Sequence, residues 1–162
     1  MTKSSKSTVS GDSGGFREGA WNREGVILFG AAGSGLWQVS EAGGTPSLVT
    51  KVDPSRREVQ HAGPTFLPDG RRFLYHRGSA TAENRGIYLG SLDATPEEQS
   101  VTRFLAADSD PVYVPSPTSS GGSLMFLREG TLLVRTRQVV TYRIVYILIY
   151  NIDHDKRTGH DR

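Results

Sequence analysis

Four histidines are the residues of this chain best suited to acid–base or metal chemistry. His154 and His160 each precede an aspartate, a pairing that can ligate a metal only where a rigid element fixes the spacing. His61 follows Glu58 by three positions, and His76 ends an apolar run. The polar surroundings of His154 and His160 favour a solvated terminus. For His61 and His76 we expect structural or surface roles. The sequence therefore predicts no metal site.

A glycine-rich stretch at 30–35 follows the apolar run 26–29 and invites comparison with a phosphate-binding loop. Such loops carry a Lys-Ser/Thr pair or open a helix. This stretch has no such pair, and the residues after it, 36–39, have the pattern of a strand. We interpret 30–35 as a hairpin loop, with a phosphate site as the alternative.

Hydrolase and kinase signatures are missing from the sequence. Serines are plentiful, but none lies in a Gly-x-Ser-x-Gly elbow, and there is no His-Arg-Asp, Asp-Phe-Gly or Val-Ala-Ile-Lys motif. Without cysteine the chain has no thiolate nucleophile, no disulfide and no cysteine metal site. We expect a protein that is not an enzyme and carries no cofactor.

Charge and hydropathy restrict the partners. The net charge of +2 is accounted for by Lys3 and Lys6, so we expect no basic face and no nucleic acid partner. Residues 1–15 lack an apolar h-region, so we expect a disordered arm rather than a signal peptide. The most apolar window, 139–150, is about a third shorter than a membrane span and contains an arginine. We expect no membrane insertion by this chain.

Two turn signals organise the apolar runs. Pro68-Asp69-Gly70 lies between two short apolar pieces, where proline presets φ and glycine accepts a positive φ. The stretch 21–29 has a similar sequence pattern: an aromatic residue, two polar residues, an acid, a glycine and an apolar run. Trp21 and Phe66 are 45 positions apart, as are Gly25 and Gly70. Each signal predicts two strands joined by a tight turn.

The following elements recur as well. Residues 35–40 match 86–91, and 123–134 form a weaker third copy. A period of about 40 to 50 residues with several short strands is typical of propeller blades. The sequence therefore predicts an all-β fold, an incomplete β-propeller of about two to three blades of antiparallel strands. The aromatic residues at equivalent positions are predicted to pack in the core rather than stack on a ligand: Trp21, Trp37, Tyr75 and Tyr88.

This fold divides the chain into the disordered arm at 1–15, the partial propeller at 16–135 and a tail at 136–162 that is strand-prone and then polar. Each blade needs neighbours to cover its two apolar faces, and closed rings have four to eight blades. An incomplete ring leaves its end faces exposed. We therefore expect a protein or peptide partner, or self-association.

Three stretches in this order, 19–29, 39–46 and 66–75, resemble the TolB-type, WD-repeat-like β-propellers. More narrowly, they resemble the propeller region of bacterial membrane-tethered serine/threonine protein kinases, over about 16–134. The resemblance implies an extracytoplasmic, non-catalytic binding or sensing module, joined in relatives to a cytoplasmic kinase domain through a membrane span. The family pattern stops after Leu133, which suggests a truncated or frame-shifted form of a longer propeller.

Full propellers bind at the loop ends of their blades, so the candidate binding loops are 51–63, 77–85 and 106–111. The candidate binding residues in or beside these loops are Arg57, His61, His76, Arg85 and Asp108. Two alternatives stay open. One is a propeller fragment of a peptidase-type enzyme, and the other is a small oligomer in which two or three chains complete one ring.

Overall fold

The structure, a computed structural model, describes residues 16–117, 121–137 and 147–151. These residues form β-strands and one short 3₁₀ helix, Pro54–Arg56, with no α-helix among them. The strands in chain order are β1 (Phe16–Trp21), β2 (Val26–Ala31), β3 (Leu36–Ser40), β4 (Ser47–Leu48), β5 (Glu58–Phe66), β6 (Arg72–Ser79), β7 (Gly86–Ser91), β8 (Arg103–Leu105), β9 (Val112–Pro115), β10 (Gly122–Arg128), β11 (Thr131–Arg137) and β12 (Ile147–Asn151).

The strands form three four-stranded sheets, each with its strands in chain order. Sheet A contains β1–β4, sheet B contains β5–β8 and sheet C contains β9–β12. All neighbouring strands are antiparallel. The predicted all-β fold of antiparallel strands is confirmed. The described part of the chain forms no closed barrel, and the predicted arm at 1–15 lies outside it.

Sheet B lies between sheets A and C because its strands are apolar on both faces. Successive residues of a strand point to opposite faces, so Phe73 and Tyr75 face one way and Leu74 the other. A first core cluster joins sheets A and B: Leu28, Leu36, Val49, Phe73, Tyr75 and Tyr88. A second cluster joins sheets B and C: Leu74, Ile87, Ala107, Leu124, Phe126 and Leu133. Both faces of sheet B are therefore covered by protein.

The two predicted turns lie side by side at one end of sheets A and B. Gly25 and Gly70 have φ of +76° and +70°, which confirms the left-handed glycine at each turn. The Asn22 side chain donates from Nδ2 to the Gly70 carbonyl at 2.8 Å. Arg71 lies between the turns and pairs with Glu24 at 3.4 Å. The sequence repeat thus places equivalent turns where they hydrogen-bond to each other.

Asn22 serves both its own turn and the neighbouring one. Its Oδ1 accepts from the N–H groups of Glu24 and Val26 at 3.0 and 2.8 Å, and its Nδ2 reaches Gly70. We expect Asn22→Ala to lower the free energy of unfolding by about 2 kcal/mol, because it leaves these groups unpaired. Asn22→Ser keeps a turn acceptor without the reach to Gly70 and should cost about half as much. Urea titrations measure both values, and equal costs would contradict the two-part role.

The prediction of four equivalent core aromatics is correct only for sheet B. Tyr75 and Tyr88 are fully buried, as predicted. Trp21 is 56% exposed, so its predicted core position is wrong. Trp37 is half-buried and donates from Nε1 to Ser34 Oγ at 3.0 Å. The physical reason is position in the stack, because the tyrosines lie on a face that another sheet covers and the tryptophans lie on the outer face of sheet A.

Candidate functional site

One end of the sheets collects the connections that the sequence predicted as binding loops. Because neighbouring strands are antiparallel, the connections 49–57, 80–85 and 106–111 emerge at the same end. The hairpin turns 32–35 and 129–130 lie there too. We call this surface, formed by these five connections, the loop end.

Two of the predicted loops are shorter than expected. β5 begins at Glu58 and β6 continues to Ser79, so residues 58–63 and 77–79 are strand rather than loop. The polar side chains that suggested a loop, among them His61 and Arg77, are buried inside the strands. They tolerate burial because they satisfy one another's hydrogen bonds.

The Glu58 carboxylate is the centre of this buried cluster. Its Oε2 accepts from His61 Nε2 at 3.0 Å and from the Asp53 backbone N–H at 2.9 Å. Its Oε1 accepts from Arg77 Nη1 at 3.0 Å, with Arg56 Nε 3.4 Å away. The side chain of Glu58 has no exposed surface. Bonds from several donors compensate the lost hydration of this carboxylate.

Burial alone would raise the pKa of Glu58. The hydrogen bonds from His61 and Asp53 and the charge of Arg77 outweigh this effect and lower that pKa to about 2. Burial also raises the pKa of Tyr75 to about 12. At neutral pH the cluster therefore contains an ionised carboxylate and a neutral phenol.

The hydrogen bonds around His61 assign its tautomer. An ionised carboxylate only accepts, so Nε2 carries the proton that is donated to Glu58. Burial lowers the pKa of His61, which keeps the ring neutral and leaves Nδ1 as an acceptor. Thr50 Oγ1 lies 2.7 Å from Nδ1 and donates to it, while the same oxygen accepts from Leu36 N–H at 2.8 Å. The chain of donors and acceptors is complete from Leu36 to Glu58.

The Arg77 guanidinium closes the other side of the cluster. Nε and Nη2 donate to Tyr75 Oη at 2.8 and 2.6 Å, and Nη2 also donates to the Ser100 carbonyl at 2.8 Å. The guanidinium carbon lies 4.2 Å from the centre of the Tyr88 ring. Burial opposes the charge, but Tyr75 and Glu58 prevail and raise the pKa of Arg77. Glu58 and Arg77 thus form a buried ion pair with fixed geometry.

Thr50, His61 and Glu58 follow one another as hydroxyl, imidazole and carboxylate, the order found in nucleophilic catalysts. Their residues are 0%, 1% and 5% exposed. The Thr50 hydroxyl also holds a backbone N–H, so its hydrogen bonds are already used. Because the three residues are buried, no substrate reaches them in this arrangement. The role of these three residues is to hold the start of β5, the connection 49–57 and the start of β3 together beneath the loop end.

The cluster also fixes the connection above it. Asp53 caps the 3₁₀ helix by accepting from Ser55 N–H at 2.9 Å, and Arg57 ends it with a left-handed φ of 54°. The Arg57 carbonyl accepts from Ala80 N–H at 3.0 Å and from Ser79 Oγ at 3.1 Å. The connections 49–57 and 80–85 are therefore bonded to each other, and the Arg57 residue is exposed at their junction.

The other three predicted residues lie at or beside the loop end. His76 is buried and donates from Nε2 to the Ala107 carbonyl at 3.3 Å. Burial lowers the pKa of His76, an effect that the hydrogen bond to Ala107 and the charge of Asp108 oppose and the charge of Arg85 reinforces. Asp108 is exposed and accepts from Glu129 N–H at 2.8 Å. The carboxylate nearest to His76 is that of Asp110, whose Oδ1 lies 3.8 Å from His76 Nδ1. His61 belongs to the buried cluster, and Arg57 is exposed on the loop end.

Sequence reasoning missed Arg77 and Thr50, together with the bond from Arg77 to Glu58 and the bond from Thr50 to the predicted His61. One signal for Arg77 was present: Phe73, Tyr75 and Arg77 alternate along β6, which places them on one face of the strand. A charged residue in such a series needs a buried counter-charge. Thr50 had no comparable signal, because its role depends on the packing of sheet A against β5.

Comparisons with models of known protein families, with curated proteins and with solved structures found no match to this chain. In the described ranges no three histidine, aspartate or glutamate side chains are grouped so that they could hold a metal ion. Within the same ranges the chain forms no helix of the length and hydropathy needed to cross a membrane.

Proposed function

We propose that the chain is a non-catalytic binding or sensing module in which sheets A, B and C are three blades of an incomplete β-propeller. The observation that carries the proposal is the stacking of three consecutive four-stranded antiparallel sheets, each with its strands in chain order. Propeller blades have this strand number and order, and loops at one end of the blades supply the binding surface.

The loop end has the properties of a binding surface. The connection 49–57 lies on the buried cluster around Glu58, and the start of 80–85 is hydrogen-bonded to it through Arg57. The side chains that project from the loop end carry both signs of charge, with Arg57 and Asp108 exposed. Charges of both signs on a rigid base suit a protein or peptide partner with complementary charges.

Peptide selection tests this surface. A random peptide library displayed on phage is panned against the immobilised chain, and fluorescence anisotropy then gives the Kd of each recovered peptide. We expect Arg57→Gly and Asp108→Asn each to raise Kd about fivefold, because each removes a rim charge worth about 1 kcal/mol. Glycine suits the left-handed φ at 57, and asparagine keeps the acceptor for Glu129 N–H.

The matched control is Glu41→Gln, an exposed acid changed to its amide at the opposite end of sheet A. It should leave Kd unchanged. Recovery of no peptide, or an equal effect of all three substitutions, would contradict binding at the loop end.

The resemblance to TolB-type propellers extends the proposal to a bacterial, extracytoplasmic setting beside a serine/threonine kinase. Sequencing the DNA on both sides of the reading frame tests this part. An adjoining kinase frame supports it, and an adjoining Ser/His/Asp peptidase frame supports the alternative. The chain itself should transfer no phosphate from ATP and hydrolyse no peptide; activity above background in either assay would overturn its non-catalytic assignment.

A further inference from the structure

The face of sheet C turned away from sheet B is largely apolar and accessible, with Ser123 and Thr136 hydrogen-bonded to each other at one end of it. Leu124 and Phe126 pack on sheet B, so the alternate residues of β10 point outward. The strand register places these aliphatic side chains on the outer face: Val112, Val114, Met125, Leu127, Leu132 and Val134. Val112 and Val114 are 56% and 46% exposed, and the other four are half-buried.

The outer face of sheet A is apolar as well, but it is aromatic. Leu28 and Leu36 pack on sheet B, so the alternate positions of β2 and β3 point outward. The register places these side chains there: Trp21, Ile27, Phe29, Trp37, Val39 and Leu48. Trp21 is 56% exposed, and Ile27, Trp37 and Leu48 are half-buried. Phe29 and Val39 are already buried within one chain, so the surface open to a partner is formed by the first four. None of the side chains named on either outer face is charged.

We propose that the outer face of sheet C docks on the outer face of sheet A of a second copy of this chain, and that two such contacts close a dimer. Each copy presents one face of each kind at opposite ends of its stack, so two identical chains supply both complementary pairs. A twofold axis then relates the two contacts. The dimer contains six stacked sheets, a number within the range of closed propellers.

The existing interfaces within the chain favour a second copy over another occupant. Between sheets A and B, aliphatic Leu28 and Leu36 pack against aromatic Phe73, Tyr75 and Tyr88. Docking the aliphatic face of sheet C on the aromatic face of sheet A repeats this pairing. The contact therefore continues the sheet-on-sheet stack that the chain already builds twice, and it covers uncharged apolar surface that monomers rarely leave exposed.

Light scattering coupled to size exclusion tests the dimer with the full chain at micromolar concentration. We expect a single species with twice the 17.6 kDa mass of one chain. Trp21→Glu and Val114→Glu should each reduce the mass to that of one chain, because each places an unpaired charge in both contacts of the dimer. Val101→Glu is the matched control, since Val101 is 60% exposed and lies on neither outer face. Circular dichroism of each variant checks folding.

Cysteine cross-linking tests the geometry, because the natural chain contains no cysteine. A bis-maleimide should join a mixture of Trp21→Cys and Val114→Cys chains into covalent dimers. Neither variant alone should cross-link, since two copies of one position lie at opposite contacts. Val101→Cys mixed with either variant is the control for random collision.

A single-chain mass, an open series of larger species, or cross-links within one variant would each overturn the proposal. The last result would show two like faces in contact instead. These readouts need no ligand, so their failure is distinguishable from a failure of the loop end to bind peptides.

Discussion

Arg77→Met should lower the free energy of unfolding by about 3 to 5 kcal/mol, because it leaves the Glu58 carboxylate buried without its strongest counter-charge. Methionine fills similar space but donates no hydrogen bond. The Tyr75 hydroxyl and the Ser100 carbonyl lose their donors at the same time. Domains of ordinary stability have about 5 to 15 kcal/mol in total, so the variant should unfold at a much lower urea concentration.

Arg72→Met is the matched control, because it makes the same substitution in the same strand, at the first residue of β6 beside the turn. The Arg72 side chain is 56% exposed and pairs with Asp69 at the surface. Exposed ion pairs contribute about 0 to 1 kcal/mol, so this variant should unfold close to the natural chain. Circular dichroism during urea titration gives both midpoints, and similar losses for the two arginines would show that burial of Arg77 has no special cost.

A double-mutant cycle separates the ion pair from its surroundings. Glu58→Gln keeps an oxygen acceptor in place of the carboxylate but leaves Arg77 without its counter-charge. Combined with Arg77→Met, it removes both charges from the core. We expect the double variant to be more stable than the sum of the two single losses predicts, by about 1 to 3 kcal/mol. Additive losses would mean that Glu58 and Arg77 act independently.

The turns and strand order were predictable because their determinants are local. Gly25 and Gly70 sit where a left-handed φ is required, and the apolar runs beside them can only be satisfied as strands in a sheet. The repeat then predicts a second unit like the first. Local sequence signals are therefore enough to predict the strands of sheets A and B and the β10–β11 hairpin.

The buried cluster was not predictable, because its polarity is compensated by residues distant in sequence. His61 and Arg77 were assigned to loops since a polar residue is usually solvated. Their burial depends on Thr50, in the connection 49–57, and Glu58, at the start of β5, lying at one point beside β6. The predicted burial of Trp21 was wrong for a related reason. The burial of a strand residue depends on whether a neighbouring sheet covers its face, and the alternation of a single strand does not specify this.

Acidification should destabilise the chain in two stages. In the unfolded chain Glu58 titrates near its ordinary pKa of 4.5, whereas in the fold that pKa is about 2. The unfolded state therefore binds more protons between these values, and stability falls as the pH decreases from about 5 to 2. A lowered pKa for His61 acts in the same direction at higher pH, starting near 6.5, because the folded ring resists the proton that the unfolded ring accepts.

The slope of stability against pH measures this contribution. Each proton bound preferentially by the unfolded state changes the free energy of unfolding by about 1.4 kcal/mol per pH unit. Between pH 4 and 3 we expect the natural chain to lose stability more steeply than the Glu58→Gln, Arg77→Met double variant. The difference between the two slopes should be at most about 1.4 kcal/mol per pH unit, the effect of one proton. Comparing slopes removes the constant difference in stability between the two proteins.

Glu98→Gln provides the control, because the Glu98 side chain is exposed and its pKa is lowered by surface hydrogen bonds from Thr95. Because this carboxylate is exposed, the slope of Glu98→Gln should differ from that of the natural chain by less than the slope of the double variant does. If the double variant loses stability as steeply as the natural chain below pH 5, the acid response originates in surface carboxylates.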